Sequence, residues 1–434
     1  MSETSNPTQA GDGSVPSGCP VAGWFKPTDT AAHTDPFEWY DRVRQEARVF
    51  YAPGEGGEDG FFVVSHHEDV LEVLRDRVSY SNGDGLGEFG TAPPEILAEA
   101  GQDWHFPMQY TLTLTDPPQH TRLRKLMQPS FTPRRLSAFE DKIREIVNGR
   151  LDVIADRGHA DLARDFAYEI PNRVIAQIIG ADEAAAEHFV EWVEAFLAIA
   201  LAGDSDGDRL QDWRLLREQE HYCRALVEAR RQKPENDLTT DMIHAKTDDG
   251  ESVLTDDEIL SNTLGFIGAG SESTAVAIST TMLLLLSHPE QWEAVKADPD
   301  LIPIAFEEGL RRLGPVRGLI RTAVVDTEIA GVPIPKGARV YLAVMSANHD
   351  PAAFDQPEAF NIHRPDLSKH LGFGKWQHFC IGAPLARLEG RIAIEALVER
   401  LPSLRLAPDH GFSFGNNLSI TPVRALRVEW EQTD

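Results

Sequence analysis

The chain has 434 residues, 41% of them hydrophobic, and a formal net charge of −28 at pH 7. That composition supplies a substantial core and weighs against nucleic acid or an anionic membrane as a partner. Its three cysteines, Cys19, Cys223 and Cys380, are too few and too irregular for a disulfide framework. The polar N-terminus has neither the basic nor the apolar region of a secretory leader, so a cytoplasmic protein is expected.

Residues 1–22 are rich in Ser, Gly, Pro and Thr and are expected to form a disordered tail, with residues 23–434 making one large unit. Val49-Phe-Tyr and Phe61-Phe-Val-Val-Ser flank the turn-rich run from Gly54 to Gly60, which predicts a hairpin. Apolar periodicity from about 136 to 312 predicts mostly helix. Within it, Thr255-Asp-Asp-Glu258 reads as a capping box and Ser287-His-Pro289 as a stop. About thirty residues between them predict a helix roughly 45 Å long. A helix that long and apolar should cross the centre of the molecule rather than a membrane. Leu319 to Val344 and Leu404 to Trp430 carry short strand signals. The fold class expected is mainly α with a minor β portion.

Chemistry concentrates around Cys380, in Phe373-Gly374-Lys-Trp376-Gln-His378-Phe-Cys380-Ile-Gly382. A thiol just before a helix gains from free N–H groups and the positive end of the helix dipole, which lower its pKa. The glycines remove bulk, so a large flat cofactor could approach the backbone. Read alone, Cys380 is equally a small buried hydrophobe. His120 and Arg124, four apart, share one helix face and suit a carboxylate-bearing cofactor, or else make a solvated charged face. Ala269-Gly270-Ser271-Glu272-Ser273-Thr274 places a glycine and a carboxylate inside the long apolar helix. Both are costly there, about 1 kcal/mol for the glycine and more for an unpaired charge, so a functional compromise is indicated. Glu308 and Arg311 can pair at i, i+3.

The cysteine segment resembles the haem-ligand loop of the cytochrome P450 family, in its bacterial soluble class, whose pattern is Phe-Gly-x-Gly-x-His/Arg-x-Cys-x-Gly. Phe373, Gly374, His378, Cys380 and Gly382 match, while Trp376 stands where the pattern has its second glycine. The other motifs follow in the family's order. The resemblance implies a P450-like fold with haem b between the long helix and the cysteine loop, its iron ligated by Cys380. It implies that His120, Arg124, Arg321 and His378 hold the haem propionates. It makes Ala269, Gly270, Glu272, Ser273 and Thr274 an oxygen-binding groove, with Glu272 as the acid and Ser273 in the place usually taken by threonine. It also implies a structural ion network of Glu308, Arg311 and Arg364.

The function implied is a haem-thiolate monooxygenase. It would insert one oxygen atom from O2 into a C–H bond of a small hydrophobic substrate, by hydroxylation or O-dealkylation. The chain ends at Asp434, soon after the haem loop, so electrons are expected from a separate ferredoxin and its reductase. Lys375, Arg122, Lys125 and Arg387 could make the docking face locally basic. A monomer with no nucleic-acid or membrane partner is expected. Pocket residues are expected from about 84–112 and 185–215, from the long helix, and from segments near Val316 to Leu319 and Phe414 to Ile420. A peroxide-dependent peroxygenase and a non-catalytic haem-thiolate sensor are the alternatives.

Overall fold

The computed structural model describes residues 16, 19–26, 36–54, 60–83, 92–200, 209–247, 250, 253–415, 417, 419–420 and 422–432. Five strands form the main sheet: β1 (Val49–Ala52), β2 (Phe61–Val64), β3 (Tyr80–Ser81), β4 (Leu319–Ala323) and β5 (Arg339–Leu342). Their order is β1-β2-β5-β4-β3. The predicted hairpin is present, with Val49 opposite Val64 and Ala52 opposite Phe61. The middle of its turn, 55–59, lies outside the described residues. β2 then runs parallel to β5, which ties the two distant strand regions of the sequence into one sheet. Phe62, Val64, Val340 and Leu342 are buried on one face of that sheet and Val63 and Tyr341 on the other, so these central strands are covered on both sides.

The expected tail reaches less far than residue 22. Val21 bridges Tyr51, and the Ala22 N–H donates to the Tyr51 carbonyl at 2.9 Å while the Tyr51 N–H donates to Pro20 at 2.8 Å. Cys19 and Ala22 are buried by this pairing. Residues 1–15 lie outside the described part of the chain.

The helices that position the site are α1 (Gln119–Met127), α2 (Glu169–Ile179), α3 (Glu183–Ala200), α4 (Arg209–Gln232), α5 (Asp256–Ser287), α6 (Ile302–Leu313) and α7 (Ala383–Arg400). α5 is the predicted long helix, 32 residues, or about 48 Å. Both bonds of the predicted capping box are made: the Glu258 N–H donates to Thr255 Oγ1 at 3.2 Å, and the Thr255 N–H donates to the Glu258 carboxylate at 2.9 Å. α5 packs against α2, α3, α4, α6 and α7, so it is apolar nearly all round, as a core helix must be. It is also the one helix among the described residues long and apolar enough to cross a membrane, and most of that apolar stretch is buried in protein. Gly270 serves this packing: a Cβ there would meet Ile175 Cδ1 of α2 at 3.1 Å. Its bare face lets two helices approach closely.

Candidate active site

Cys380 closes a tight loop that leads into α7. Its N–H donates to the Phe373 carbonyl at 2.8 Å, and its own carbonyl accepts from the Ala383 N–H at 3.3 Å. Gly374 sits at φ +66°, a left-handed conformation that glycine adopts without strain. Trp376 adopts φ +52°, so the backbone geometry of the missing second glycine is kept by a bulky residue that pays for it in strain. Its indole is 46% exposed.

The backbone N–H groups of Gly382 and Ala383, with Arg124 and Arg387, do favour the thiolate of Cys380. Burial outweighs them, and the thiol titrates above its ordinary value. The expected lowering by the helix end is therefore overridden, because desolvation penalises the charged form more than nearby dipoles help it. Protein packs densely around the thiol, yet Cys380 keeps exposed surface, as a sulfur facing an internal cleft would. Ala269 behaves the same way: it is exposed in mid-helix, between buried Ile267 and buried Ser271.

Four basic side chains converge beside this loop. The His120 ring lies 4.1 Å from that of His378. Arg124 donates to the Gln377 carbonyl at 3.1 Å, and Arg321 donates to the Ile320 carbonyl at 2.7 Å. Burial and then the Arg124 charge push His120 down to about 4. Burial, His120, Arg321 and Arg124 push His378 down to about 3. Burial lowers Arg321 to about 10, although Asp116 pulls it upward. Asp116 is itself occupied, accepting from the Ser81 hydroxyl and from the Asn82 N–H. The buried His120 Nε2 has no partner among the described residues. The cluster thus lacks negative charge and hydrogen-bond acceptors, and two carboxylates supply both. Haem carries two carboxylates and an iron that takes a thiolate, so this donor set fits it.

The middle of α5 divides its polar groups. Ser273 Oγ donates back to the Ala269 carbonyl at 2.7 Å. The buried Glu272 carboxylate accepts from the Tyr168 hydroxyl at 2.5 Å, and burial pushes it up to about 7. The two expected relay residues therefore bond to different partners, because adjacent residues on a helix project about 100° apart. Thr274 is buried beside them. Tyr168 has no signal in the sequence motif, since it stands 104 positions from Glu272.

The structure brings Glu308, Arg311 and Arg364 together. Arg311 makes a two-pronged contact with Glu308 at 2.8 and 2.9 Å, and Arg364 Nε reaches the same carboxylate at 3.2 Å. The remaining guanidinium N–H groups donate to the carbonyls of Asn348, Asp355, Gln356, Pro357 and Ala359. Three of the cations expected on the docking face have partners within the chain. Arg122 pairs with Glu258, and Arg387 pairs with Glu307 at 2.6 Å while lying over the Phe373 ring. Lys375 donates to the Ser368 carbonyl.

A wall of side chains stands on the glycine side of α5. Thr111 and Met108 approach Gly265, and Phe196 of α3 lies 3.8 Å from the Cβ position of Gly268. Phe106 meets Phe196 with ring centroids 6.5 Å apart. Asn262 of α5 pins this segment, donating to the Tyr110 carbonyl and accepting from the Leu112 N–H, each at 2.9 Å. Sequence patterning places the segment but not the asparagine that anchors it. Residues 84–91 and 201–208, also expected to contribute, lie outside the described residues.

A buried long helix facing a cysteine loop, with buried cations between elements to receive two carboxylates, defines a haem-thiolate oxygenase. The chain belongs to the cytochrome P450 family: the model of that family, described as Cytochrome P450, matches residues 55–302 and 300–404. It is 34% identical to cytochrome P450 monooxygenase PikC of Streptomyces venezuelae, over 92% of each chain. It is 35% identical to 6-deoxyerythronolide B hydroxylase of Saccharopolyspora erythraea, over 87% of this chain and 91% of that one. The solved structure of cytochrome P450 CREJ in complex with (4-ethylphenyl) dihydrogen phosphate is similar at a TM-score of 0.85 and 33% identity, covering 94% of this chain and 100% of the other. The protein is accordingly a cytochrome P450 monooxygenase, an oxidoreductase whose cofactor is haem b with Cys380 as iron ligand.

Proposed function

We propose that the enzyme hydroxylates or O-dealkylates a compact hydrophobic organic substrate, drawing electrons from a separate ferredoxin and its reductase. Haem, when bound at Cys380, supplies the activation of dioxygen. In this reading His120, Arg124, Arg321 and His378 hold the propionates, and the loop of Phe373, Gly374 and Gly382 shapes the thiolate side. Ala269 leaves room beside α5, Glu272 stores a proton, and the hydroxyls of Ser273 and Thr274 direct it. The apolar wall excludes water and orients the substrate. Cytoplasmic location and a monomeric state complete the reading.

The observation that carries the compact substrate is the seating of Phe196 on α5 beside Gly268, with Phe106 packed against it at 6.5 Å between ring centroids. A ring that close to the helix favours a flat or narrow molecule. The CREJ structure holds a single substituted phenyl ring, which is of that size. The test is a titration of the holoenzyme with 4-alkylphenols, terpenoids and a macrolactone, following the low- to high-spin change of the haem spectrum. Alkylphenols and terpenoids should produce it; a response to the macrolactone alone would overturn the reading.

One observation favours a second reading, a peroxide-driven reaction. Ser273 spends its hydroxyl proton on the Ala269 carbonyl, which weakens proton delivery along α5. Turnover with hydrogen peroxide that matches turnover with a ferredoxin system would favour it.

A further inference from the structure

A cleft lies between three helices: α2, α3 and the helix Glu140–Ile154. It has two hollows, of about 430 and 290 Å³, that share Arg150, Arg173 and Ala186 as walls. This is not the face that α2 turns to α5. Ile175 approaches Gly270 of α5, while Arg173 and Gln177, two residues to either side of it, project about 160° away and line the cleft. Three features of the cleft have no cause in the chain's own packing. Gly149 lies inside its helix, where glycine is a poor helix former, yet a Cβ there would meet nothing within 4 Å. The buried amide oxygen of Asn172, in the smaller hollow, has no partner among the described residues. The buried Nε of Arg150 has none either, although its Nη atoms reach the Asp165 carbonyl at 3.1 Å and the Glu169 carboxylate at 3.4 Å.

The charges of the cleft say what kind of ligand fits. Arg173 pairs with Glu169 and Glu183, each at 3.1 Å, and Lys142 pairs with Glu145 at 3.0 Å. With Arg150 on Glu169, every cation lining the cleft has a carboxylate partner, so an anion must break an ion pair to bind. A cation finds only Glu187, which is exposed and solvated. A hydroxyl group donates and accepts without bringing charge, which suits a free acceptor beside a free donor. A sugar ring also has a C–H face, and Ile146, Ala176 and Val190 offer apolar surface to it. We propose that this cleft binds a neutral sugar of two rings. One ring lies against the bare backbone of Gly149 in the larger hollow, the other donates to Asn172 Oδ1 in the smaller, and Arg150 Nε donates to a hydroxyl between them.

The test is saturation-transfer NMR of the holoenzyme with trehalose and maltose as probes, and with citrate and spermidine as charged controls. Wild type should bind at least one of the two sugars saturably and neither control. Gly149→Leu fills the larger hollow and Asn172→Leu removes the acceptor of the smaller, and each should weaken sugar binding roughly tenfold. Gly149→Leu sits at an exposed position and replaces glycine with a better helix former, so it should melt no lower than wild type in the absence of sugar. It thereby separates loss of the site from loss of the fold, and it carries the test if Asn172→Leu does not fold. Absence of saturable binding by both sugars overturns the proposal and leaves the cleft to water. Citrate or spermidine binding as tightly as the sugars overturns it too, as does an affinity unchanged in Gly149→Leu.

Discussion

Two buried charge clusters lie in this molecule, and they are built on opposite terms. Glu308, Arg311 and Arg364 form a closed set, in which the carboxylate faces two guanidinium groups and backbone carbonyls take the remaining N–H donors. His120, Arg124, Arg321 and His378 form an open set, in which the basic groups repel one another and the nearby Asp116 is engaged elsewhere. Burying charge is costly unless it is paired. The closed set therefore belongs to the fold, and the open set belongs to a ligand that brings its own negative charge. Arginine serves both ends, so the balance of the cluster, not the presence of arginine, separates a scaffold from a site.

The largest effect expected is on the closed set. Arg311→Ala leaves Glu308 buried with half its partners gone and should cost about 3–5 kcal/mol. Urea unfolding should show a large loss of stability or no folded protein. Arg321→Ala should act in the reverse sense. It removes a repelled cation, so the apoprotein should keep its stability, while haem dissociates roughly ten- to a hundredfold faster as one charge-assisted contact is lost. Haem transfer to apomyoglobin measures the second quantity. Equal behaviour of the two variants would erase the distinction between the clusters.

Acid separates the clusters further. Burial and Arg124 hold His120 at about 4, well below its unfolded value near 6.5. The unfolded chain therefore binds the proton first as pH falls. The apoprotein should lose stability progressively from about pH 6.5 down to about pH 4, then show no further loss from this group. Two bound carboxylates raise the folded value and shrink that loss. Urea midpoints against pH, for apoprotein and holoenzyme, should diverge over that window, and His120→Asn should reduce the apoprotein's slope there while leaving the share of His378, which is held at about 3.

Much of this was legible in the chain because the information is local. The capping box of α5, the hairpin of β1 and β2, and the loop ending in Cys380 are each written within about ten residues, where turn chemistry and periodicity decide the outcome. What escaped was nonlocal. The Tyr168–Glu272 bond joins distant helices, Asn262 reaches across 152 positions to the Tyr110 carbonyl, and Arg122 leaves the expected basic face for Glu258, 136 positions away.

Trp376 supplies the smallest effect and a test of how far the open cluster depends on its loop. It holds a left-handed backbone at φ +52° two residues before His378. For an L-residue that conformation costs about 1–2 kcal/mol, and glycine escapes the cost while surrendering about 0.5–1 kcal/mol of chain entropy. Trp376→Gly should therefore stabilise the holoenzyme by less than about 1 kcal/mol, raising its melting temperature by at most about 2 °C. The residue is 46% exposed, so the packing lost with the ring offsets part of that gain. A destabilised variant would show that the ring's packing outweighs its backbone strain. The loop that presents His378 and Cys380 would then owe its shape to the tryptophan.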